Sequence, residues 1–209
     1  MSFPRPDKEH IPGLIIGISG KARSGKDTVA QILRNNGLNE ANLTTIVHFA
    51  DVLKYTLARL CSTRDCMISH NDFTTTEGKQ KTIPWLDNMT HRELLQRFGT
   101  AIREEVHPDF WVKVCIHHLE FIQPNYLKKY DLIVPDVRFP NEKKAIEDLG
   151  GIVIRVERPG IDSGNHISET ALDDAEFCHT IQNDGTLEEL ETKVKEFLND
   201  YINNSRSSI

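Results

Sequence analysis

The run Leu14-Ile15-Ile16-Gly17-Ile18-Ser19 leads straight into Gly20-Lys21-Ala22-Arg23-Ser24-Gly25-Lys26-Asp27-Thr28. No other part of the chain constrains the fold as much. The apolar, β-branched stretch reads as a strand buried on both faces, which calls for a parallel sheet flanked by helices. After the turn, Val29, Ala30, Ile32 and Leu33 fall on one side of a helix over 26–36, and Gly37 stops it. The glycine-rich turn therefore sits at the carboxyl end of a strand, where open α/β sheets bind ligands.

The turn fits G-x-x-x-x-G-K, with Asp27 where Ser or Thr is usual and Thr28 one place later. Glycines let several backbone N–H groups converge on phosphate oxygens, and the helix that follows adds the positive end of its dipole. Lys26 is placed to bridge the β- and γ-phosphates of a nucleotide. The usual hydroxyl at this point ligates Mg²⁺. Here Asp27, through water, and Thr28, directly, are the alternatives, and the competing reading of Asp27 is a first-turn carboxylate that favours the helix dipole.

The rest of the chain alternates in the same way. Thr44–Phe49, Tyr130–Val134, Ile152–Val156 and His179–Ile181 are further strand candidates, and Val52–Leu60, Asn141–Leu149 and 110–121 are helix candidates. Thr90 with Glu93 and Thr186 with Glu189 are capping boxes opening two more amphipathic helices. The expected architecture is α/β: a P-loop NTPase with a parallel sheet flanked by helices, an acceptor-binding insertion and a lid. We expect a single domain over 1–209, with an acceptor-binding segment at 61–110 whose polar part, 61–85, reads as mobile or inserted, a lid at 158–175 and a loose arm at 1–13.

At 209 residues, 38% hydrophobic and 27% charged, the chain fits one globular domain. Its net charge of −6 and lack of a basic run argue against polymeric nucleic acid as ligand. The Leu14–Ile18 run is too short for a secretory or membrane segment, so a cytoplasmic protein with no membrane partner is expected. Cys61, Cys66, Cys115 and Cys178 form no C-x-x-C pair and read as reduced thiols rather than a zinc set.

Other candidates follow strands. Asp51 and Lys54 come after the second strand, where Asp51 orients an acceptor or caps a helix. Arg97 and Arg103 bracket Gly99 on a helix; the guanidinium fork suits a phosphate clamp, and a solvated face is the alternative. Gly99 inside a helix marks close approach of another group. Trp111 is a base-stacking candidate or a core residue. Asp136 ends an apolar strand and would face Mg²⁺ or the acceptor, with Arg138 two residues on; the alternative pairs Asp136 with Arg138 and lets Asn141 cap a helix. Arg155, Arg158, His166 and Glu169 belong to or adjoin the lid, Arg158 being the best candidate to close on phosphates and His166 and Glu169 reading first as surface residues. Asn183 and Gly185 precede the last helix, where such a loop packs on adenine or simply makes the turn.

The strings SGKARSGKDT, FADVLK, LLQRFGTAIREEVHPDFW, VPDVRFPNE, RPG followed by HISE, and NDGTLEEL occur in this order. Together they resemble the phage-type deoxynucleoside monophosphate kinases over most of the chain. The resemblance implies phosphorylation of deoxynucleoside monophosphates by ATP and Mg²⁺. It implies that Gly20, Arg23, Ser24, Gly25, Lys26, Asp27 and Thr28 hold ATP, and that Asp51, Lys54, Arg138, Asn141 and Glu142 line the acceptor side. The ATP-side set also takes in Asn183 and Gly185; the acceptor set takes in Arg97, Arg103, Trp111 and Asp136. Lys26, Arg138 and Arg158 are the catalytic candidates, and Asp27, Thr28 and Asp136 the metal candidates. A homodimer is compatible with the sequence. The rival readings are another small P-loop kinase, acting on phosphomevalonate or dephospho-coenzyme A, and a nucleotide switch; against the switch, no N-K-x-D motif is present.

Overall fold

A computed structural model of the chain describes residues 14–38, 43–122, 130–161 and 167–206, so the expected arm at 1–13 and His166 lie outside the described residues. In chain order the elements are β1 Ile15–Ser19, α1 Lys26–Asn36, β2 Leu43–Ile46, α2 Asp51–Cys61, α3 His70–Thr74, α4 Thr76–Gln80, β3 Thr82–Ile83, β4 Met89–Thr90, α5 His91–Glu105, α6 Phe110–Ile122, β5 Tyr130–Val137, α7 Pro140–Asp148, β6 Ile152–Glu157, α8 Ile167–Thr170, β7 His179–Gln182 and α9 Leu187–Arg206. The chain divides into two compact units, 1–48 with 119–209, and 49–118. The inserted unit is therefore wider than the expected segment 61–110.

The first unit is built on five parallel strands in the order β2-β5-β1-β6-β7. All five residues of β1 are buried, as a central parallel strand requires. Ile16 and Ile18 pack with Val29 and Leu33 of α1 and with Val194 and Phe197 of α9. The opposite face of β1 meets α7 so closely that a Cβ on Gly17 would lie 2.6 Å from Ile146 Cδ1. Both faces are thus covered. From β1 the chain passes to β2 at one edge, returns through β5, and continues to β6 on the other side of β1. The order reverses at β1, so its carboxyl end is the switch point of the sheet.

β5 runs three residues past the expected strand end. Gly17 pairs with Val134 but Ser19 pairs with Val137, so one extra residue sits in β5 at Pro135–Asp136. Proline has no N–H to give a ladder and is tolerated inside a sheet only at such a bulge. Asn141 is not the cap of α7: Phe139 holds that position, Pro140 follows at the first helical place, and Glu142 caps from within. Glu142 Oε2 accepts the N–H groups of Arg138 at 2.7 Å and Phe139 at 3.0 Å.

The second unit has its own core of Leu53, Leu57, Ala58, Cys61, Ile68, Phe73, Ile83 and Trp111. The polar stretch 61–85 is accordingly not a structureless insert. Ile68, Phe73 and Ile83 anchor it, and the Ser69–Asp72 capping box opens α3. Hydrogen bonds from Ser69 and the neighbouring Lys81 hold the Asp72 carboxyl down to about 2. The Thr90–Glu93 box is present at the start of α5, and the Thr186–Glu189 box at the start of α9. Gly99 does mark close approach, since a Cβ there would lie 3.2 Å from Leu53 Cδ2. The four cysteines are free thiols. Among the described residues no helix is long and apolar enough to cross a membrane.

Candidate active site

The loop after β1 owes its shape to two glycines. Gly20 has φ +148°, and a Cβ on it would lie 2.4 Å from the Val156 carbonyl oxygen of β6. Gly25 has φ +102° and is the N-cap of α1, with no side chain capping the first turn. The first-turn amides are therefore left to a ligand, the arrangement that binds phosphate at helix N-termini. Between them Arg23 adopts φ 65° and is exposed. The Ser24 hydroxyl is buried with no hydrogen-bond partner among the described residues. An orphaned polar atom of this kind calls for an explanation, and a polar ligand in the loop supplies one.

Asn183, just past the carboxyl end of β7, fastens the loop. Its Nδ2 donates to the Ser24 carbonyl at 2.8 Å. The amide lies where a Cβ on Gly25 would be. Sequence placed Asn183 near the nucleotide; the structure gives it a fastening role. Asn183→Ala should lower stability by about 1 kcal/mol, the net worth of one hydrogen bond. A urea midpoint equal to wild type would contradict that role.

Lys26 is 8% exposed. Its Nζ donates to the carbonyls of Gly20 at 2.7 Å and Lys21 at 2.6 Å, so the loop curls around the ammonium. Burial, and then the nearby Arg138 charge, pull its pKa down to about 8, against opposing pulls from Glu169, Asp27 and Asp136. The unfolded chain thus binds more protons between about 8 and 10.5, and the cost of keeping Lys26 charged is relieved as pH rises through that window. An added polyphosphate favours the charged form and reverses the shift. Nucleotide binding at pH 9 should therefore take up protons, read as a binding enthalpy that varies with buffer ionisation enthalpy. A buffer-independent enthalpy at pH 9 would contradict this.

The bulge in β5 delivers Asp136, half-buried, within electrostatic range of Lys26. Arg138 follows just beyond the strand, its N–H held by Glu142. The expected alternative, an Asp136–Arg138 ion pair, is not what holds the arginine: Arg138 Nη1 pairs with Glu169 of α8. Glu169 is not a surface residue, its side chain being only 10% exposed. Its Oε2 accepts the Ala22 N–H at 2.7 Å. Burial pushes this carboxyl up, but Arg138, the Ala22 amide and Lys26 outweigh it and hold the group below the ordinary glutamate value. Ser19, Gly20, Lys21, Arg138, Glu169 and Asp173 line one small cleft beside the loop.

A model of the deoxynucleotide monophosphate kinase family matches residues 38–194. That span begins after the phosphate loop, so the loop geometry is a separate observation. The chain belongs to the deoxynucleotide monophosphate kinase family. A protein of Acanthamoeba polyphaga mimivirus, described provisionally as a deoxynucleotide monophosphate kinase, is 29% identical over 191 residues, covering 87% of this chain and 94% of its own. The deoxynucleotide monophosphate kinase of Enterobacteria phage T4 is 37% identical over 115 residues, covering 54% of this chain and 46% of its own. This chain thus spans nearly all of the mimivirus relative and about half of the phage one. Among solved structures, a Mycobacterium tuberculosis APS kinase aligns over 90% of this chain at 11% identity, with a TM-score of 0.42.

The remaining candidates of this kinase are placed as follows. In the first unit, Arg158 is exposed just after β6, and Gly185 lies in the turn before α9, where a Cβ would meet the Glu189 carboxylate at 1.9 Å. That carboxylate is the end of a flexible side chain, and it also accepts the Thr186 N–H that opens α9. Glu142 is buried at 2% and engaged as a helix cap, which corrects its reading as an acceptor contact. Asn141 is half-buried in the first turn of α7. In the second unit, Asp51 is not an N-cap: Ala50 is, and Asp51 opens α2 with Lys54 Nζ 3.0 Å from its Oδ1 and His70 Nε2 at 3.8 Å. Lys54 is buried at 8%, so neither member of this pair is a solvated surface charge. Trp111 is a core residue, 5% exposed, with its indole N–H bonded to the Gly99 carbonyl at 3.0 Å, which corrects the stacking expectation. Arg97 is exposed and Arg103 half-buried on α5. Six residues apart, they leave the helix about 120° from each other.

For Mg²⁺, the donor chemistry fits. Asp27 is exposed in the first turn of α1, Thr28 is half-exposed beside it, and Asp136 is a second carboxylate in electrostatic range of the same lysine. Among the described residues no three metal-binding side chains converge.

Proposed function

We propose that the chain transfers the γ-phosphoryl group of ATP to a deoxynucleoside monophosphate, giving the diphosphate and ADP. The observation that carries this reading is a phosphate loop, built to rigid specification at the switch point of a parallel sheet, in a chain of the deoxynucleotide monophosphate kinase family. Nothing in the fold or the comparisons favours the other small P-loop kinases or a switch protein.

The loop amides and Lys26 bind the β- and γ-phosphates. Asp136, with Asp27 or Thr28, would hold Mg²⁺, which when bound would supply charge neutralisation at the phosphates. Arg138, and Arg158 from the lid, stabilise charge as it spreads over the equatorial oxygens. The acceptor phosphate is largely ionised at neutral pH, its second pKa being about 6, so no strong general base is needed. Asp51 and Lys54 are acceptor contacts in this reading. The free thiols suit a reducing cytoplasm.

Transfer is direct, without a phosphoenzyme. With γ-labelled ATP and one of the four deoxynucleoside monophosphates, the label should pass to the diphosphate and never to the protein. Label retained on the chain would overturn direct transfer, and label released only as inorganic phosphate would overturn the kinase reading.

A further inference from the structure

The carboxylate of Glu169 takes donors that a phosphate oxygen needs. Its Oε2 accepts a backbone N–H of the phosphate loop, that of Ala22, at 2.7 Å. Its Oε1 pairs with the Arg138 guanidinium, and it feels the charge of Lys26. A loop amide, an arginine and a buried lysine around one anionic group make an anion subsite, and here an anion of the protein itself fills it.

The contact is not one stray side chain. Lys21 Nζ donates to the Glu169 carbonyl at 2.6 Å and pairs with Asp173. Arg155 Nη1 donates to the Leu172 carbonyl at 2.9 Å, and its Nη2 lies 3.2 Å from Asp173 Oδ1. Three cations from the loop, β5 and β6 thus tie residues 169–173 down over the carboxyl ends of the central strands. Two anionic groups cannot share one amide and one guanidinium, because like charges at hydrogen-bonding separations repel strongly in a partly buried site.

We propose that Glu169 is the internal occupant of a phosphate-oxygen subsite formed by the Ala22 N–H and Arg138, and that nucleotide phosphates displace it and release residues 169–173 from the loop. Binding is then an exchange of one anion for another. Arg138 passes from a protein carboxylate to phosphate, and the Glu169 carboxylate competes with the product at the end of each cycle. This inference rests on the proposal that the loop binds nucleotide.

The test uses the full chain with the β,γ-imido analogue of ATP and Mg²⁺. Glu169→Gln keeps an oxygen that accepts from Ala22 but loses the charge that competes with phosphate. It should bind the analogue about tenfold more tightly than wild type, the difference between a charged and a neutral hydrogen-bond partner. In the wild-type chain, which needs no folding control, the analogue should speed hydrogen exchange at 169–173 while slowing it at 20–28. Equal or weaker binding by Glu169→Gln, or protection of 169–173 on binding, overturns the displacement. Wild-type chain that binds no analogue overturns the phosphate-loop reading itself and this inference with it, so the two failures are distinguishable.

Discussion

Replacing Lys26 by alanine should cut kcat by about 100- to 1,000-fold, the usual cost of removing one preorganised charge from a transition state. The apparent KM for ATP should change much less. The reason lies in where the ammonium is kept. It is almost fully buried and held by the Gly20 and Lys21 carbonyls, with its pKa pulled down to about 8 by burial and by the neighbouring arginine. A desolvated cation on a fixed tether interacts strongly with charge that develops beside it, and it pays little reorganisation when the charge appears. Removing it also removes an unfavourable buried charge, so the fold should survive the substitution. Steady-state kinetics alongside a urea curve separate the two effects. An undiminished kcat in a folded Lys26→Ala chain would contradict the role given to Lys26.

Gly20→Ala should be the most damaging single-methyl change in the molecule. The backbone at Gly20 sits at φ +148°, and the new Cβ would lie 2.4 Å from a β6 carbonyl and 2.7 Å from the Ser24 oxygen. The nearer obstacle is backbone and cannot swing aside. Strained backbone costs about 1–3 kcal/mol, and the clash with β6 adds to it, so we expect a loss of about 3 kcal/mol or more together with loss of nucleotide binding. Gly37→Ala is the matching control. It too has positive φ, +69°, but a Cβ there meets nothing within 4 Å. It should cost about 1–3 kcal/mol, the penalty of a backbone conformation that L side chains rarely adopt, and leave binding intact. Equal effects of the two substitutions on stability and binding would show that the loop is not as tightly specified as its geometry implies.

Much of the sheet and of the loop is legible in the sequence because local and global requirements coincide there. β1 is a continuous apolar run, the loop carries glycines at two of its three positive-φ positions, Arg23 taking the third, and α1 shows its apolar face at helical spacing. The two capping boxes work for the same reason: each is a purely local hydrogen-bond pattern. What the sequence hides is set at long range. Pro135 looks like the end of a strand, and only pairing with β1 turns it into a bulge that carries Asp136 onward. The polar stretch after Cys61 looks loose because its anchors Ile68, Phe73 and Ile83 are isolated among polar neighbours. Glu169 reads as a surface residue, since nothing nearby in sequence tells that its partners are Ala22 and Arg138. The H-I-S-E string after R-P-G carried the signal, but not its meaning. Trp111 and Glu142 err the other way: each lies in a motif that resembles a substrate site, while burial and a satisfied hydrogen bond assign them to the core and to a helix cap.

The most direct test of the central claim is ADP release in a coupled assay with ATP and Mg²⁺, run against dTMP, dGMP, dCMP, dAMP, the four ribonucleoside monophosphates and phosphomevalonate. The account predicts ADP release that depends on at least one deoxynucleoside monophosphate and is lost in Lys26→Ala. Release that is stimulated only by a non-nucleotide acceptor, or that proceeds equally without any acceptor, would contradict it.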